Sequence, residues 1–289
     1  MLTANDHYRS RFGCKMYKAS ISFAKTCPNR DGAKGTGGCI FCSAGGSGEF
    51  SSCIQKSIKE QIDDAILQVS KKAGPDAGYI AYFQSFTNTY CSPEELAKAM
   101  GEAISHPKIK ALSIATRPDC LPEETVKLLE ERAAKLPVYV ELGLQTSSDE
   151  TAKLINRCYE TKEYADAVKR LKDAGINVIT HVIFGLPKET EEQMLDTVRY
   201  CVEAGTDGIK FTCLYVLIDT VLEKMWKAGE FEVLGREEYF DIVEKAIKIL
   251  PSDIVIHRLT GDGPKKLLLA PMWTADKRSV INYINRRFA

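Results

Sequence analysis

Short apolar strands alternate with amphipathic helices along almost the whole chain, and few folds accept that rhythm. Lys15–Phe23 (KMYKASISF) alternates with period two and predicts a strand; Ser57–Lys72 then sets Ile58, Ile62, Ile66 and Val69 on one helical face and is closed by Gly74-Pro75. Tyr79–Phe86 predicts the next strand, and Ser92-Pro93-Glu94 reads as an N-cap and N1 proline opening a helix to about Ser105. Ile109–Thr116 and Leu121–Lys135 repeat the pair. Then come strand Val138–Leu144, a helix near Asp149–Arg157, and a helix Lys162–Ala174 that Thr161 can cap and Gly175 can end. Strand Asn177–Phe184, helix Glu191–Ala204, strand Gly208–Leu217, a short helix around Leu222–Ala228, helix Glu237–Leu250, strand Ile254–Leu259 and a last helix of about Ala275–Phe288 complete the reading. Strand-helix-strand units of this length close right-handed and leave their strands parallel. The fold class is therefore α/β, as an open doubly wound sheet or a partial barrel.

A chain of 289 residues suits one α/β barrel, and no Pro/Ser-rich linker, low-complexity tract or internal repeat divides it. We expect a single domain over residues 1–289, with residues 1–15 as an aperiodic extension packed on the body. The formal net charge of zero gives no global basic field to attract nucleic acid. Ten cysteines in so regular a chain, with nothing like a signal peptide at Met1–Ser10, point to a reducing cytoplasm, not a disulfide framework. No apolar run is long enough for a transmembrane helix, so no membrane association is expected.

Three of the cysteines stand apart. Cys27–Cys42 reads CPNRDGAKGTGGCIFC, a C-x11-C-x2-C arrangement in a Gly-dense loop directly after the first strand. A [4Fe–4S] cluster normally takes four thiolates, so three close ones leave an iron open to hold something else. Gly32, Gly35, Gly37 and Gly38 let the long gap curl back on itself. A structural zinc site with Cys14 or Cys53 as fourth ligand, a redox C-x-x-C and three unrelated buried thiols are the competing readings. The remaining cysteines show no paired metal spacing and read mostly as small apolar fillers.

In parallel α/β folds the carboxyl ends of the strands collect the site. Those ends here carry Gln84-Ser85-Phe86-Thr87-Asn88-Thr89, Thr116-Arg117-Pro118-Asp119, Glu141 with Gln145 and Ser147, Phe184-Gly185-Leu186-Pro187 with Glu189-Thr190, and His257-Arg258; Arg157 follows on a helix and Lys210 opens a strand. Singly, Asp119, Glu189 and Thr190 read equally well as helix caps, Gly185-Leu186-Pro187 as a turn and Arg157 as a surface partner of Glu160. Their joint occurrence argues for a site. His181, inside an apolar strand, reads as a core histidine, whereas His257 beside Arg258 reads as a proton carrier or substrate contact.

Taken together, CPNRDG…GTGGCIFC, QSFTNTY, TRPD, ELGLQ, IFGLPKET and HRLTGD resemble the radical S-adenosylmethionine (SAM) superfamily over residues of about 15–265. The likeness is to the branch similar to the catalytic subunit of Elongator and to anaerobic coproporphyrinogen oxidase, and within it to a group of short bacterial proteins. The superfamily's commonest cluster spacing is C-x3-C-x2-C; the long first gap here departs from it and is a feature of that short group. The resemblance implies a partial (β/α)6 barrel of TIM type with parallel strands, followed by a helical extension over 266–289. It implies Cys27, Cys39 and Cys42 as ligands of a [4Fe–4S] cluster whose fourth iron SAM completes, and reductive cleavage of SAM to a 5′-deoxyadenosyl radical. Thr116 and Glu141 would accept from the SAM amino and sulfonium end, Arg157 would clamp its carboxylate, and Gln145 would reach its ribose or carboxylate. Ile183, Gly185 and Leu186 would lie beside adenine, while Gln84, Ser85 and Asn88 stand where relatives use a Gly-rich segment. His257, Arg258 and Lys210 are left as candidates on the substrate side.

Elongator-like relatives modify the wobble uridine of tRNA, and the resemblance implies the same target here, with 5-carboxymethylaminomethyl-(2-thio)uridine converted to the aminomethyl form. tRNA and a low-potential electron donor such as flavodoxin or ferredoxin would be the partners. Lys265, Lys266, Lys277, Arg278, Arg286 and Arg287 form a basic C-terminal set that either contacts phosphates or is a solvated helix face. No acetyltransferase domain like that of the Elongator subunit is expected, so acetyl-CoA chemistry is not carried over. A radical SAM enzyme of tetrapyrrole or other small-molecule metabolism, and a non-catalytic zinc or iron–sulfur protein, are the alternatives.

Overall fold

The structure, a computed structural model, describes residues 1–46, 48 and 51–288. Seven strands form one parallel sheet: β1 (Met16–Ile21), β2 (Gly78–Phe83), β3 (Ile109–Thr116), β4 (Val138–Gln145), β5 (Asn177–Phe184), β6 (Gly208–Cys213) and, beyond a short β7 (Val216–Leu217), β8 (Val255–Arg258). Their spatial order follows the chain, as right-handed crossovers require of a sheet that curls into a half-barrel. Helices α2 (Ile58–Val69), α3 (Pro93–Ile104), α4 (Glu123–Ala133), α5 (Asp149–Leu154), α6 (Thr161–Asp173), α7 (Glu191–Glu203) and α9 (Arg236–Ile249) provide the crossovers and outer layer; α8 (Val221–Lys227) lies at the strand ends.

Strand parity sorts the residues. Ala81 and Phe83, Leu112 and Ile114, Val140 and Leu142, and Ile209 and Phe211 join the core under the helices, with Leu96 and Met100 of α3 and Val168 and Leu171 of α6. The alternate positions, from Lys18 on β1 to Thr212 on β6, face the lumen. Side-chain capping sets the helix starts: Ser57, Ser92 and Thr190 each close a capping box with the third residue of α2, α3 and α7. Thr161 does not cap α6 as expected. Glu160 takes the N-cap position, and the Thr161 hydroxyl turns inward to Asp149 at 2.7 Å.

Three features depart from the sequence reading. Residues 1–15 contain a helix, α1 (Ala4–Phe12), with a Thr3–Asp6 capping box and Gly13 ending it at φ 68°. Only Tyr8 of α1 is buried, so no apolar period marks the helix. It closes the lower mouth of the barrel, where Tyr8 packs with Ile80, Ala111, Tyr139 and Ile179. The expected strand Gly208–Leu217 is two elements: β6 stays in the main sheet, and β7 pairs antiparallel with β9 (Leu268–Ala270). The segment 266–289 is thus not wholly helical, although α10 (Lys277–Arg287) follows β9. Among the described residues no helix is long and apolar enough to cross a membrane.

Candidate active site in the barrel lumen

The lumen is filled in layers. Its floor is aromatic and neutral: His7 Nε2 lies 3.2 Å from the Tyr139 hydroxyl, and Tyr8 Oη lies 3.4 Å from His257 Nδ1. His257 belongs to this floor and not to the substrate side, contrary to expectation. β8 bulges there, because Ile209 pairs with Ile256 and Lys210 with Arg258, so His257 has no partner on β6. Its ring lies on Gly208, where a Cβ would come within 2.6 Å of the imidazole. Burial first, then Lys18 and Lys210, hold its pKa well below the usual histidine value.

Above the floor sits a charged layer centred on Glu141, which is 1% exposed. Its carboxylate pairs with Lys18 and Lys210, accepts from Ser113 Oγ at 2.5 Å and from His181 Nε2 at 2.7 Å. Burial works against that negative charge, but Lys18, Lys210 and His181 outweigh it and keep the carboxyl well below the ordinary carboxylate range. Lys210 is depressed by burial, against the pull of Glu141 and with the push of Lys18 and Arg258. His181 is pushed down to about 4, by burial first and then by Lys210, so it is neutral at pH 7 and donates to Glu141. The two lysine ammoniums also lie over the Tyr82 ring, at 4.0 and 5.0 Å from its centroid.

The top of the lumen opens into a cavity of about 330 Å³, walled by Glu141, Gln145, His181, Ile183, Thr212 and Arg258 from below and by the loop of Cys27, Cys39 and Cys42 from above. That loop is pinned at several points. Ile40 gives its N–H to Ile155 O at 3.1 Å, receives Leu222 N at 3.0 Å, and packs with Leu186, Leu214 and Val216. Asn156, at φ 55°, donates to Gly38 O at 2.8 Å and to Thr36 O at 3.1 Å. Arg30 reaches back to the carbonyls of Cys42 and Ser43. Gly35 fits because its α-carbon is pressed on Asn29, where a Cβ would approach Oδ1 to 2.4 Å.

Several expected SAM contacts occupy other roles. The Arg157 guanidinium, 0% exposed, donates to Leu144 O at 2.8 Å, Thr146 O at 2.6 Å, Tyr159 O at 3.2 Å and Thr161 Oγ1 at 2.8 Å, with Asp149 at 3.4 Å. Its donors are consumed in fixing the β4–α6 connection, so it is a structural anchor and not a free carboxylate clamp. Asn88 is likewise spent, bridging Ala24 N, Phe83 O and Ala115 O. Ser85 bonds Ser22 at 2.9 Å, and the Thr116 hydroxyl bonds Thr89 at 2.5 Å. Gly185 turns the chain at φ 89° and Leu186 is buried in the small core that holds Ile40, so of this segment Ile183 faces the cavity. Gln84, Thr116, Glu141, Gln145, Arg157 and Arg258 all line it, Thr116 and Arg157 with their polar groups already bonded within the protein, and Lys210 stands behind Glu141. Gln145 sits at φ 65° on a β4 bulge, and Gly143 makes room for it, since a Cβ there would meet Nε2 at 2.5 Å.

Sequence reasoning missed the rest of the charged layer. Lys18, Ser113, Tyr82 and His181 each occupy a lumen-facing position in a strand that otherwise reads as apolar, and parity against the Glu141 face was the available signal. His181 is therefore a wall residue, not a plain core histidine. Asp119 grips Arg117 at 2.9 and 2.8 Å and carries that cation to 4.0 Å from Cys27 Sγ. Neither thiol weighed as a fourth zinc ligand lines the cavity with Cys27, Cys39 and Cys42: Cys14 contacts Met16 Sδ at 3.8 Å, and Cys53 is exposed beside Gln55. Part of the basic C-terminal set is already paired, Lys277 with Asp262 and Arg287 with Asp241 and Glu244.

Comparison with known proteins agrees with this geometry. Residues 21–201 match the family described as the radical SAM superfamily, and residues 206–289 match its radical SAM C-terminal domain. The chain belongs to the radical SAM superfamily. It is 39% identical over 284 residues to the uncharacterized protein YtqA of Bacillus subtilis (98% of this chain, 88% of the relative), and 33% identical over 268 residues to the protein YhcC of Escherichia coli (92% and 85%). It is also 30% identical over 179 residues to a tRNA uridine(34) acetyltransferase of Methanocaldococcus infernus, covering 61% of this chain and 33% of that one. The Elp3 structure from the same archaeon shares the fold at a TM-score of 0.69 and 21% identity (94% of this chain, 63% of that chain), and coproporphyrinogen III oxidase of Escherichia coli at 0.54 and 16% (81% and 52%). The radical SAM fold thus takes its Elongator and coproporphyrinogen oxidase-like form here.

Radical SAM enzymes use a [4Fe–4S] cluster and SAM, and Cys27, Cys39 and Cys42 line the same cavity, three thiols that could ligate such a cluster and leave one iron open. Burial first, then the neighbouring Cys42 and, more weakly, Cys27, push the Cys39 thiol up to about 12 against the opposing pull of Arg117, so a thiolate there calls for a cationic group at the sulfur. Asn29 Nδ2, 3.6 Å from Cys39 Sγ, supplies the kind of outer hydrogen bond that tunes a ligating sulfur.

Proposed function

We propose that this radical SAM enzyme modifies the wobble uridine of tRNA, converting 5-carboxymethylaminomethyl-(2-thio)uridine to the aminomethyl form. The observation that carries the reading is the 30% identity over 179 residues to a tRNA uridine(34) acetyltransferase. This chain spans about a third of that relative, so acetyl transfer is not carried over. In this reading Cys27, Cys39 and Cys42 ligate the cluster, and Gln84, Gln145, Ile183 and Glu141 form the wall against which SAM and substrate meet. When bound, the cluster and SAM supply one-electron cleavage of the sulfonium and hydrogen abstraction from substrate. The protein's own part is to hold the thiols in a pinned loop, to keep the lumen floor closed with α1, and to keep the Glu141 layer charged while excluding water. Flavodoxin or ferredoxin is the proposed electron donor and the cytoplasm the proposed location.

The test is the nucleoside profile of tRNA with and without the gene. Deletion should accumulate the carboxymethylaminomethyl nucleoside at the expense of the aminomethyl form, and an unchanged profile refutes the tRNA assignment. Anaerobically reconstituted, reduced enzyme should release 5′-deoxyadenosine, and Cys39→Ala should lose iron and this release together.

A further inference from the structure

The charges in the lumen do not balance. Glu141 faces Lys18 and Lys210 at bonding distance, and Arg258 is close enough to depress Lys210 further. His181 is neutral there, and Asp262, the other carboxylate on the cavity wall, is paired with Lys277 outside it. One buried carboxylate is thus set against three basic side chains, Lys18, Lys210 and Arg258. The other arginines on the wall are committed: Arg30 to carbonyls of the cysteine loop, Arg117 to Asp119, and Arg157 to the β4–α6 backbone. Arg258 has no ion pair among the described residues. Its Nη2 donates to Thr212 Oγ1, and its Nε is buried with no protein acceptor. A buried guanidinium N–H without a partner is costly and calls for an explanation, and on the wall of an open cavity a bound group is one that supplies it.

We propose that Arg258, with Thr212 beside it and Lys210 and Lys18 behind, is the seat of a carboxylate at the end of a substrate side arm. Four features favour this ligand. The planar guanidinium, held at one edge by Thr212, leaves the fork that pairs with a planar carboxylate. The Thr212 hydroxyl accepts from Arg258 and keeps its own proton to donate. A nucleic-acid backbone phosphate is linked on both sides and cannot descend into a lumen whose floor α1 closes, whereas a terminal arm can. The residual positive field also discriminates: it holds a carboxylate-bearing arm and repels the bare ammonium that remains once the N–CH2 bond has broken and the carboxymethyl carbons have left together, which favours product release.

This proposal rests on the tRNA reading for the identity of the arm, and the experiment separates the two. Reconstituted holoenzyme is titrated anaerobically with two tRNAs differing only in a carboxymethylaminomethyl or an aminomethyl arm on the wobble uridine. The native enzyme should bind the carboxylate form about 10–100-fold more tightly, the range expected of a charge-assisted pair. Arg258→Gln should bring the two affinities to within about threefold by weakening the carboxylate form alone, and Arg258→Lys should recover part of the preference. A preference unchanged in Arg258→Gln overturns the seat. Equal binding of the two tRNAs by the native enzyme also overturns the seat; if it binds neither tRNA, the tRNA assignment fails, and the seat is then judged with millimolar N-methylglycine. A rise in the holoenzyme's Tm that vanishes in Arg258→Gln supports it; no rise, or a rise produced only by methyl phosphate, overturns it.

Discussion

Replacing Glu141 by Gln changes one atom's chemistry and little else in shape, yet it removes the charge on which the lumen layer depends. Glu141 is 1% exposed and is paired with Lys18 and Lys210. Removing one partner of a buried pair leaves uncompensated buried charge and costs about 3–5 kcal/mol. That is a large share of a total stability of about 5–15 kcal/mol. At about 2 °C per kcal/mol for a chain of this size, Tm should fall by about 6–10 °C. The pH dependence supplies the sharper check. In the native protein the carboxyl is depressed, so its contribution is present above the ordinary carboxylate range and is lost as pH falls through its folded value. In the variant Lys210, already depressed, loses its counter-charge. Between its folded pKa and its unfolded value of about 10.4 the unfolded chain binds more protons, so the variant's stability rises with pH and the deficit narrows between neutral pH and about 9.5. The assay is anaerobic urea unfolding of cluster-loaded protein at several pH values, with Glu141→Gln/Lys210→Met as the closing corner of a double-mutant cycle. A deficit under about 1 kcal/mol, one that does not change with pH, or one that Lys210→Met fails to reduce refutes the electrostatic account.

Further outcomes follow from the same geometry. Arg157→Lys should destabilise the protein by about 2–4 kcal/mol, because one ammonium cannot satisfy the carbonyls of Leu144, Thr146 and Tyr159, while KM for SAM stays within a few-fold in the folded fraction; a selective rise in KM would return Arg157 to the SAM carboxylate. Gly143→Ala should displace Gln145, whose amide would lie 2.5 Å from the new Cβ, and weaken SAM binding about tenfold by equilibrium titration with only a small change in Tm. His181 is depressed to about 4, so the unfolded chain binds its proton first and native stability drains away as pH falls from about 6.5 toward 4; His181→Asn should flatten that acid limb in thermal melts.

The particular elements show why the sequence was legible in some places and not in others. Strand and helix periods, Ser57, Ser92 and Thr190 as caps, and the Gly-dense cysteine loop are local signals, and a single sequence carries them directly. They were enough for a parallel α/β sheet and for the three thiols at its mouth. α1 escaped because its one buried residue leaves no period to see, and the split of Gly208–Leu217 escaped because β7 takes its partner from Leu268–Ala270, far along the chain. The polar residues at strand ends were found as a set, but their division of labour was not. Arg157 and Asn88 look like ligand contacts until the backbone carbonyls that consume their donors are seen.

What the sequence alone determined was the inventory: which strands run parallel, which loop holds sulfur, and which residue types gather at one end of the sheet. Curling the sheet decided the rest. It turned alternate positions of separate strands into neighbours, so that Lys18, Ser113, Glu141, His181 and Lys210 became one charged layer, and a bulge in β8 sent His257 to the floor and left Arg258 facing the cavity with an unpaired Nε. Periodicity tells which face a side chain is on; only closure of the barrel tells what it faces, and charge balance is a property of that company.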